Sequence, residues 1–363
     1  MSGEKPEFQT NFREAFPDDM HSFDLKTSVL KLSKLIDPQL DEKYCLDEIE
    51  KFSKELRTRL SSSPSPPPAE LLKTVNSYFF KELEFKTDET ADKYFSGKIK
   101  KIPAGESAKP LHEYLSVRSV LKNRTGIAAS IVLIYLMIAE ELYMPVFAAV
   151  TPNNLYLRYD DGNEMHNIDL LSEGSLIESS RTVRDEIIYN KSLEPFYTAG
   201  LFLTKISKYY ESRNMYDEAK IVLKRAGEVN PDLAENHYDF GRLYFREENY
   251  PEAEKSFMKA VDLNPGYAEA YYSLGVIKQK TGAVREAKDY YNKASGVNYS
   301  FEEAHYALGA LHAETGNYEA AKNSLMEVIV INPQNTDAYY KLCLLYTSPS
   351  PRDRTRSRMP SSA

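Results

Sequence analysis

The spacing of apolar positions separates a mixed first half of the chain from a uniformly helical second half. Residues 25 to 60 follow a helical period, with Leu32, Leu35 and Ile36 and then Tyr44, Leu46, Ile49 and Phe52 on the apolar stripe. The stretch "SSSPSPPPAE", Ser61 to Glu70, has the composition of a linker. "ELLKTVNSYFFKELEF" then reads as an amphipathic helix, and residues 87 to 110 as an irregular surface excursion. "LHEYLSVRSVLKNRTG" predicts one helix, stopped by Gly126. Residues 127 to 142 are apolar nearly all round, which predicts a helix buried on every side. "PVFAAV" predicts a strand, and "NLYLRY", "DDGN" and "EMHNIDL" predict strand, tight turn and strand.

In the second half the helical pattern repeats. Pro231, Pro265, Tyr299 and Pro333 share one phase of a 34-residue spacing, and Ala219, Ala253, Ala287 and Ala321 share another. Ala226, Ala260, Ala294 and Val328 hold a third, while Gly241, Gly275 and Gly309 sit in the first helix of successive units beside Phe240, Leu274 and Leu308. Small residues at these phases let helices approach closely, and proline ends the second helix of each pair. This is the tetratricopeptide repeat (TPR) pattern, predicting an all-α solenoid over 198–342 with four repeats and a fifth cut at Leu342.

Stacked helix pairs present a concave face that suits a peptide or partner helix. Tyr238, Tyr272, Tyr306 and Tyr340 recur at one phase of that face, with Arg242 and Arg246 nearby. They read as a partner-binding groove, with the alternative that tyrosine is simply common at this repeat position. Thr204 and Lys208, then Tyr238 and Arg242, stand where a Lys/Asn carboxylate clamp is expected, so chaperone-tail binding is not indicated.

The first half resembles the SirB-type transglutaminase-like family, whose members can carry C-terminal TPR repeats. The resemblance runs from about Ser28 through Asp185. It is carried by "LHEYLSVRSVLKNRTG", by "AEELYMPVFAAV" and by "NLYLRYDDGNEMHNIDLLSEG". It implies an α+β papain-like domain over 68–197, after an N-terminal helical segment and linker over 1–67. In catalytic relatives a cysteine opens the buried helix, a histidine begins a strand and an acid ends the next. Those positions here are Ala128, Asn154 and Asp169. Cysteine-based acyl transfer needs a thiolate and an imidazole to ionise it. Of the triad only Asp169 is kept, so the resemblance implies a degenerate site and no enzyme. Ser130 lacks a base, and His166 lies three residues from Asp169 on the opposite strand face by alternation. The alternative function is a residual hydrolase or acyltransferase working through Ser130.

Composition adds limits. A length of 363 residues with 42% hydrophobic content suits two or three domains with real cores. The longest apolar run, Ile127 to Ile138, is too short for a membrane span. A net charge of −8 argues against general nucleic-acid binding. Cys45, read as a core residue, and Cys343 exclude a disulfide framework or a cysteine zinc site, and His237, His305 and His312 form no close metal set. No cofactor is expected. The tail "CLLYTSPSPRDRTRSRMPSSA", residues 343–363, reads as translated sequencing adapter, the alternative being a natural disordered Ser/Pro/Arg-rich tail. Without its four Arg and one Asp the net charge is −11. The expectation is a soluble, cytoplasmic, non-catalytic scaffold of undetermined oligomeric state. Its TPR groove would bind a protein or peptide, and the first domain could alternatively serve only as a packing cap.

Overall fold

A computed structural model describes residues 5–61, 66–96, 102, 109–151, 155–177 and 192–347. The chain forms two compact units, Met1–Asn236 and His237–Ala363.

The first unit opens with helices α1 (Lys5–Ala15), α2 (Leu25–Ile36) and α3 (Glu42–Leu60). Asp24 and Asp41 cap α2 and α3 by accepting the N–H of Thr27 and Tyr44, the ordinary role of Asp at a helix start. Helix α4 (Pro68–Asn76) passes into a π-helical turn, Ser77–Glu82, so the predicted amphipathic helix changes its hydrogen-bond register at its aromatic residues. The excursion predicted over 87–110 contains regular structure. Lys86–Thr87 forms β1 and Glu89–Phe95 forms α5, while most of the remainder lies outside the described residues. Asp88 accepts the Ala91 N–H at 2.8 Å and so starts α5.

The single helix expected over 111–126 is two. Helix α6 (Leu111–Leu115) and α7 (Val117–Asn123) meet at Ser116, whose backbone is extended. The buried Ser116 hydroxyl donates to Asp37 Oδ2 at 2.7 Å, a tertiary contact that holds the break. Nor is Gly126 the stop. Arg124 ends α7 in the left-handed region at φ 58°, and Gly126 lies in β2 (Thr125–Gly126), paired in parallel with β1. A side chain at Gly126 would place Cβ 2.7 Å from Val120 Cγ2, so close packing is what requires glycine there.

Helix α8 (Ala128–Glu141) is buried at every position from Ala128 to Ala139, as an all-round apolar sequence demands. It packs against α3, α7 and the sheet. That sheet is antiparallel in the order β3 (Val146–Val150), β4 (Leu155–Asp160), β5 (Met165–Asp169), β6 (Ser175–Ile177), with Ala148 opposite Leu157 and Leu157 opposite Ile168.

Helices α9 (Pro195–Ser212) and α10 (Tyr216–Val229) are the first TPR pair by sequence phase, yet they belong to this unit. Helix α9 is buried on all its faces, through Leu201, Phe202, Ile206, Tyr209 and Tyr210. Tyr210 donates its hydroxyl to the Leu35 carbonyl at 3.0 Å. Arg225 of α10 lies over the rings of Phe16 and Phe196 and donates to the Pro17 carbonyl at 2.8 Å. Helix α11 (Ala234–Arg246) carries the chain into the second unit.

That unit continues as α12 (Tyr250–Leu263), α13 (Ala268–Lys280), α14 (Val284–Val297), α15 (Glu302–Glu314), α16 (Tyr318–Ile331) and α17 (Thr336–Thr347). The small residues do what their phase predicts. A Cβ on Gly275 would come within 2.5 Å of the Tyr291 ring, and one on Gly309 within 2.8 Å of Leu325 Cγ. Ala253, Ala287 and Ala321 are fully buried. Helix α17 runs through Thr347, so the first five residues of the segment read as tail, Cys343 to Thr347, continue the helix, and Leu345 packs on Leu325, Val328 and Ala338. No helix among the described residues is long and apolar enough to cross a membrane.

Candidate functional site

Two places carry candidate function: the start of α8 and the concave face of the repeats. At the first, Ala128, where the resemblance would set a nucleophile, is 8% exposed. Its backbone N–H, an orphan donor at the helix N-terminus, is satisfied by Asp92 Oδ1 of α5 at 3.1 Å. A carboxylate therefore sits beside the N–H that would face a thiolate or oxyanion. Sequence reasoning missed Asp92 because it fell in the stretch read as irregular. The signal was the Asp88 cap with an acidic first turn behind it.

Ser130, two residues further on, is fully buried. Its hydroxyl faces the carbonyl oxygens of Tyr114 at 3.1 Å and Leu115 at 3.3 Å, to one of which it donates its proton. Asp169 ends β5 as predicted, but its carboxylate is committed locally. Oδ1 accepts the Leu171 N–H at 2.9 Å and Oδ2 the Ser172 hydroxyl at 2.7 Å, which holds the turn into β6. His166 pairs with Glu164 at 3.1 Å, and its ring lies tilted at 45° to that of Tyr159 with centroids 6.4 Å apart. Asn154 lies outside the described residues. Cys45 is buried in α3, and burial pushes its thiol up to about 12, far from a reactive value.

On the repeats, the tyrosines are packed as well as displayed. Tyr238 lies against Phe257 of its own repeat and Tyr267 before the next, with ring centroids 5.5 and 4.8 Å apart. Tyr272 repeats this with Tyr291 and Phe301 at 5.6 and 5.5 Å. Burial pushes the Tyr238 hydroxyl up to about 12. Lys341 lies over the Tyr306 ring, and Tyr340, the last of the row, is 66% exposed. Arg242 pairs with Asp239 at 3.0 Å and lies over Tyr238, while Arg246 is exposed. The positions of a first carboxylate clamp are closed. Thr204 and Lys208 are 1% and 7% exposed, and Thr204 donates its hydroxyl to Asn236 Oδ1 at 2.6 Å. No group of His, Cys, Asp or Glu suited to a metal ion occurs among the described residues.

The sequence model of the transglutaminase-like superfamily matches residues 108–192, which hold α6 through the sheet. Tetratricopeptide models match 241–282, 268–300 and 302–335. The chain joins a transglutaminase-like domain to tetratricopeptide repeats. Among solved structures it is similar to MamA, at 26% identity over 39% of this chain and 82% of that one, with a TM-score of 0.36. It is also similar to YrrB, described as a TPR protein with an unusual peptide-binding site, at 24% identity, 40% and 76% coverage and a TM-score of 0.36. Pseudomonas aeruginosa PilF matches at 16% identity, 44% and 72% coverage and a TM-score of 0.39. No curated protein matches the chain. The tetratricopeptide repeats are the part of the molecule that supports protein–protein interaction.

Proposed function

We propose that this protein is a non-catalytic binding scaffold of the SirB-like kind. A peptide or helix of a partner would lie in the TPR groove, and the transglutaminase-like domain of the same chain would have lost its chemistry. The observation that carries the reading is at α8. The position matched to the nucleophile is Ala128, its N–H is taken by Asp92, and the Ser130 hydroxyl two residues on is buried and turned onto backbone carbonyls. General-base activation needs a base within hydrogen-bond reach of that hydroxyl. Among the contacts of Ser130 there is none, since both groups facing it are carbonyl oxygens. The reading places the chain in the cytoplasm.

The test is labelling of the whole chain by a fluorophosphonate and by an acylating active-site probe. No stoichiometric adduct is expected at Ser130, and modification there would establish the hydrolase alternative.

The packing of α9 favours a second role for the transglutaminase-like domain as the cap of the first repeat. The two roles are compatible. Glu164 lies exposed in the β4–β5 turn, and Glu164→Gln at unchanged melting temperature would weaken partner binding only if the domain also contacts the partner.

A further inference from the structure

The second unit repeats its groove positions with changing chemistry, and the change has a direction. Beside the tyrosine row runs the phase Arg242, Val276, Ala310, Leu344, and beyond it the phase Arg246, Lys280, Glu314. Cationic side chains thus gather at the α11–α13 end. Arg246 and Lys280 are both exposed, and Lys280 lies over the Phe245 ring. Toward α15 the floor turns apolar and small. Val276 packs on the buried cluster of Tyr291 and Leu308, and Ala310 is half-buried with no bulk above its Cβ of its own.

The opposite edge of the groove has one sign. Glu269, Glu303 and Asp337 occupy the first turns of α13, α15 and α17, where they also favour the helix dipole. A carboxylate entering the groove is repelled from that edge and attracted to the Arg246–Lys280 corner. At α15 the far-edge row itself reverses to Glu314, so the attraction is confined to one end. Charge of this kind fixes orientation and register more than it adds affinity.

We propose that the groove takes a linear segment of a partner protein with carboxylates at one end and small apolar side chains behind them. The carboxylates face Arg246 and Lys280, and the apolar residues lie over Val276 and Ala310. This rests on the groove-binding reading above and specifies its ligand.

The experiment uses the full chain and fluorescence anisotropy. One labelled peptide carries three acidic residues followed by alternating Val and Ala. A second has lysines in place of the acids, and a mixed-composition peptide array serves as the general probe. The acidic peptide should bind about tenfold more tightly than the lysine peptide, equivalent to about 1.4 kcal/mol. The difference should shrink as salt is raised. Arg246→Glu with Lys280→Glu, both at exposed positions, should reverse the preference, with circular dichroism as the folding control. Ala310→Arg should abolish binding of either peptide, with unchanged circular dichroism as the folding control. Equal affinity for the two peptides, or a preference untouched by the double charge reversal, would overturn the proposal. Array peptides that bind and are lost in Ala310→Arg, but without selection for acids, would refute the ligand while leaving the groove reading intact. If no array peptide binds, the groove reading itself fails.

Discussion

At the scale of single residues, the start of α8 shows how one neighbour decides a chemistry. A cysteine at a helix N-terminus ordinarily has a lowered pKa, because the N–H groups and the dipole favour the thiolate. Here Asp92 places a full negative charge within hydrogen-bond reach of the Ala128 N–H. Ala128→Cys should therefore yield a thiol above the ordinary cysteine value, and adding Asp92→Asn should bring it down. The pH dependence of iodoacetamide alkylation measures both. A thiolate already present near pH 7 in Ala128→Cys alone would contradict the role given to Asp92. His312 offers a second test at this scale. It is buried in α15, and burial, with Lys288 nearby, lowers its pKa from the ordinary value of about 6.5. The unfolded chain then binds the proton more readily than the folded one. The associated stability is fully present above the ordinary value and is lost as pH falls through the lowered one. Urea midpoints should fall between pH 7 and 5, and His312→Gln should flatten that slope.

At the scale of elements, the repeats are held by pairs of a small and a large residue. Gly275 of α13 meets Tyr291 of α14, whose ring would lie 2.5 Å from an added Cβ. Gly275→Ala should destabilise the unit by about 1–3 kcal/mol, because a fully buried tyrosine has no room to withdraw. Gly282, with φ +82° and open space around it, gives a contrasting site where substitution strains backbone alone. Equal urea midpoints for Gly275→Ala and the parent chain would contradict the close-packing account. Such features were legible because a repeated phase displays its own packing rule. The apolar completeness of α8 was legible for a similar reason, as a helix with no polar face has no surface to occupy. The break at Ser116 was not, because its cause is Asp37, distant in sequence and joined to it by the fold. The stop at Arg124 escaped notice because glycine two residues later is the commoner signal. The structure uses that glycine for clearance from Val120 instead. The same holds at the candidate site. The helix start at Ala128 and the strand end at Asp169 could be placed by pattern, whereas Asp92 reaches Ala128 from a helix the pattern did not show.

At the scale of the whole molecule, repeat phase and folding unit do not coincide. Sequence phase begins the solenoid near residue 198, inside α9, but α9 is buried on all its faces within the first unit. Its partners there include α2, α6, α8 and β3 as well as α10. A chain cut to begin at residue 198 would keep α10 and lose the others. It would expose side chains such as Leu201, Phe202, Tyr209 and Tyr210, which are buried in the whole protein. Each large apolar side chain contributes about 1.5–3 kcal/mol by burial. Four of them together rival the roughly 5–15 kcal/mol net stability of a domain. Helix α10, with the start of α11 through Asn236 and Glu235, covers part of α9 and cannot replace the contacts with α2, α6, α8 and β3. The 198-onward chain should therefore self-associate, with α9 amides exchanging within seconds. A chain beginning at residue 230 omits α9 and α10 and keeps α11 through α17 whole. It should remain helical and protect the amides of α12 through α16 nearly as the parent chain does. Hydrogen exchange read by mass spectrometry, beside sedimentation of both fragments, distinguishes the cases. A monomeric 198-onward chain with α9 as protected as in the parent would show that this helix pair belongs energetically to the solenoid, and that the transglutaminase-like domain merely rests on it.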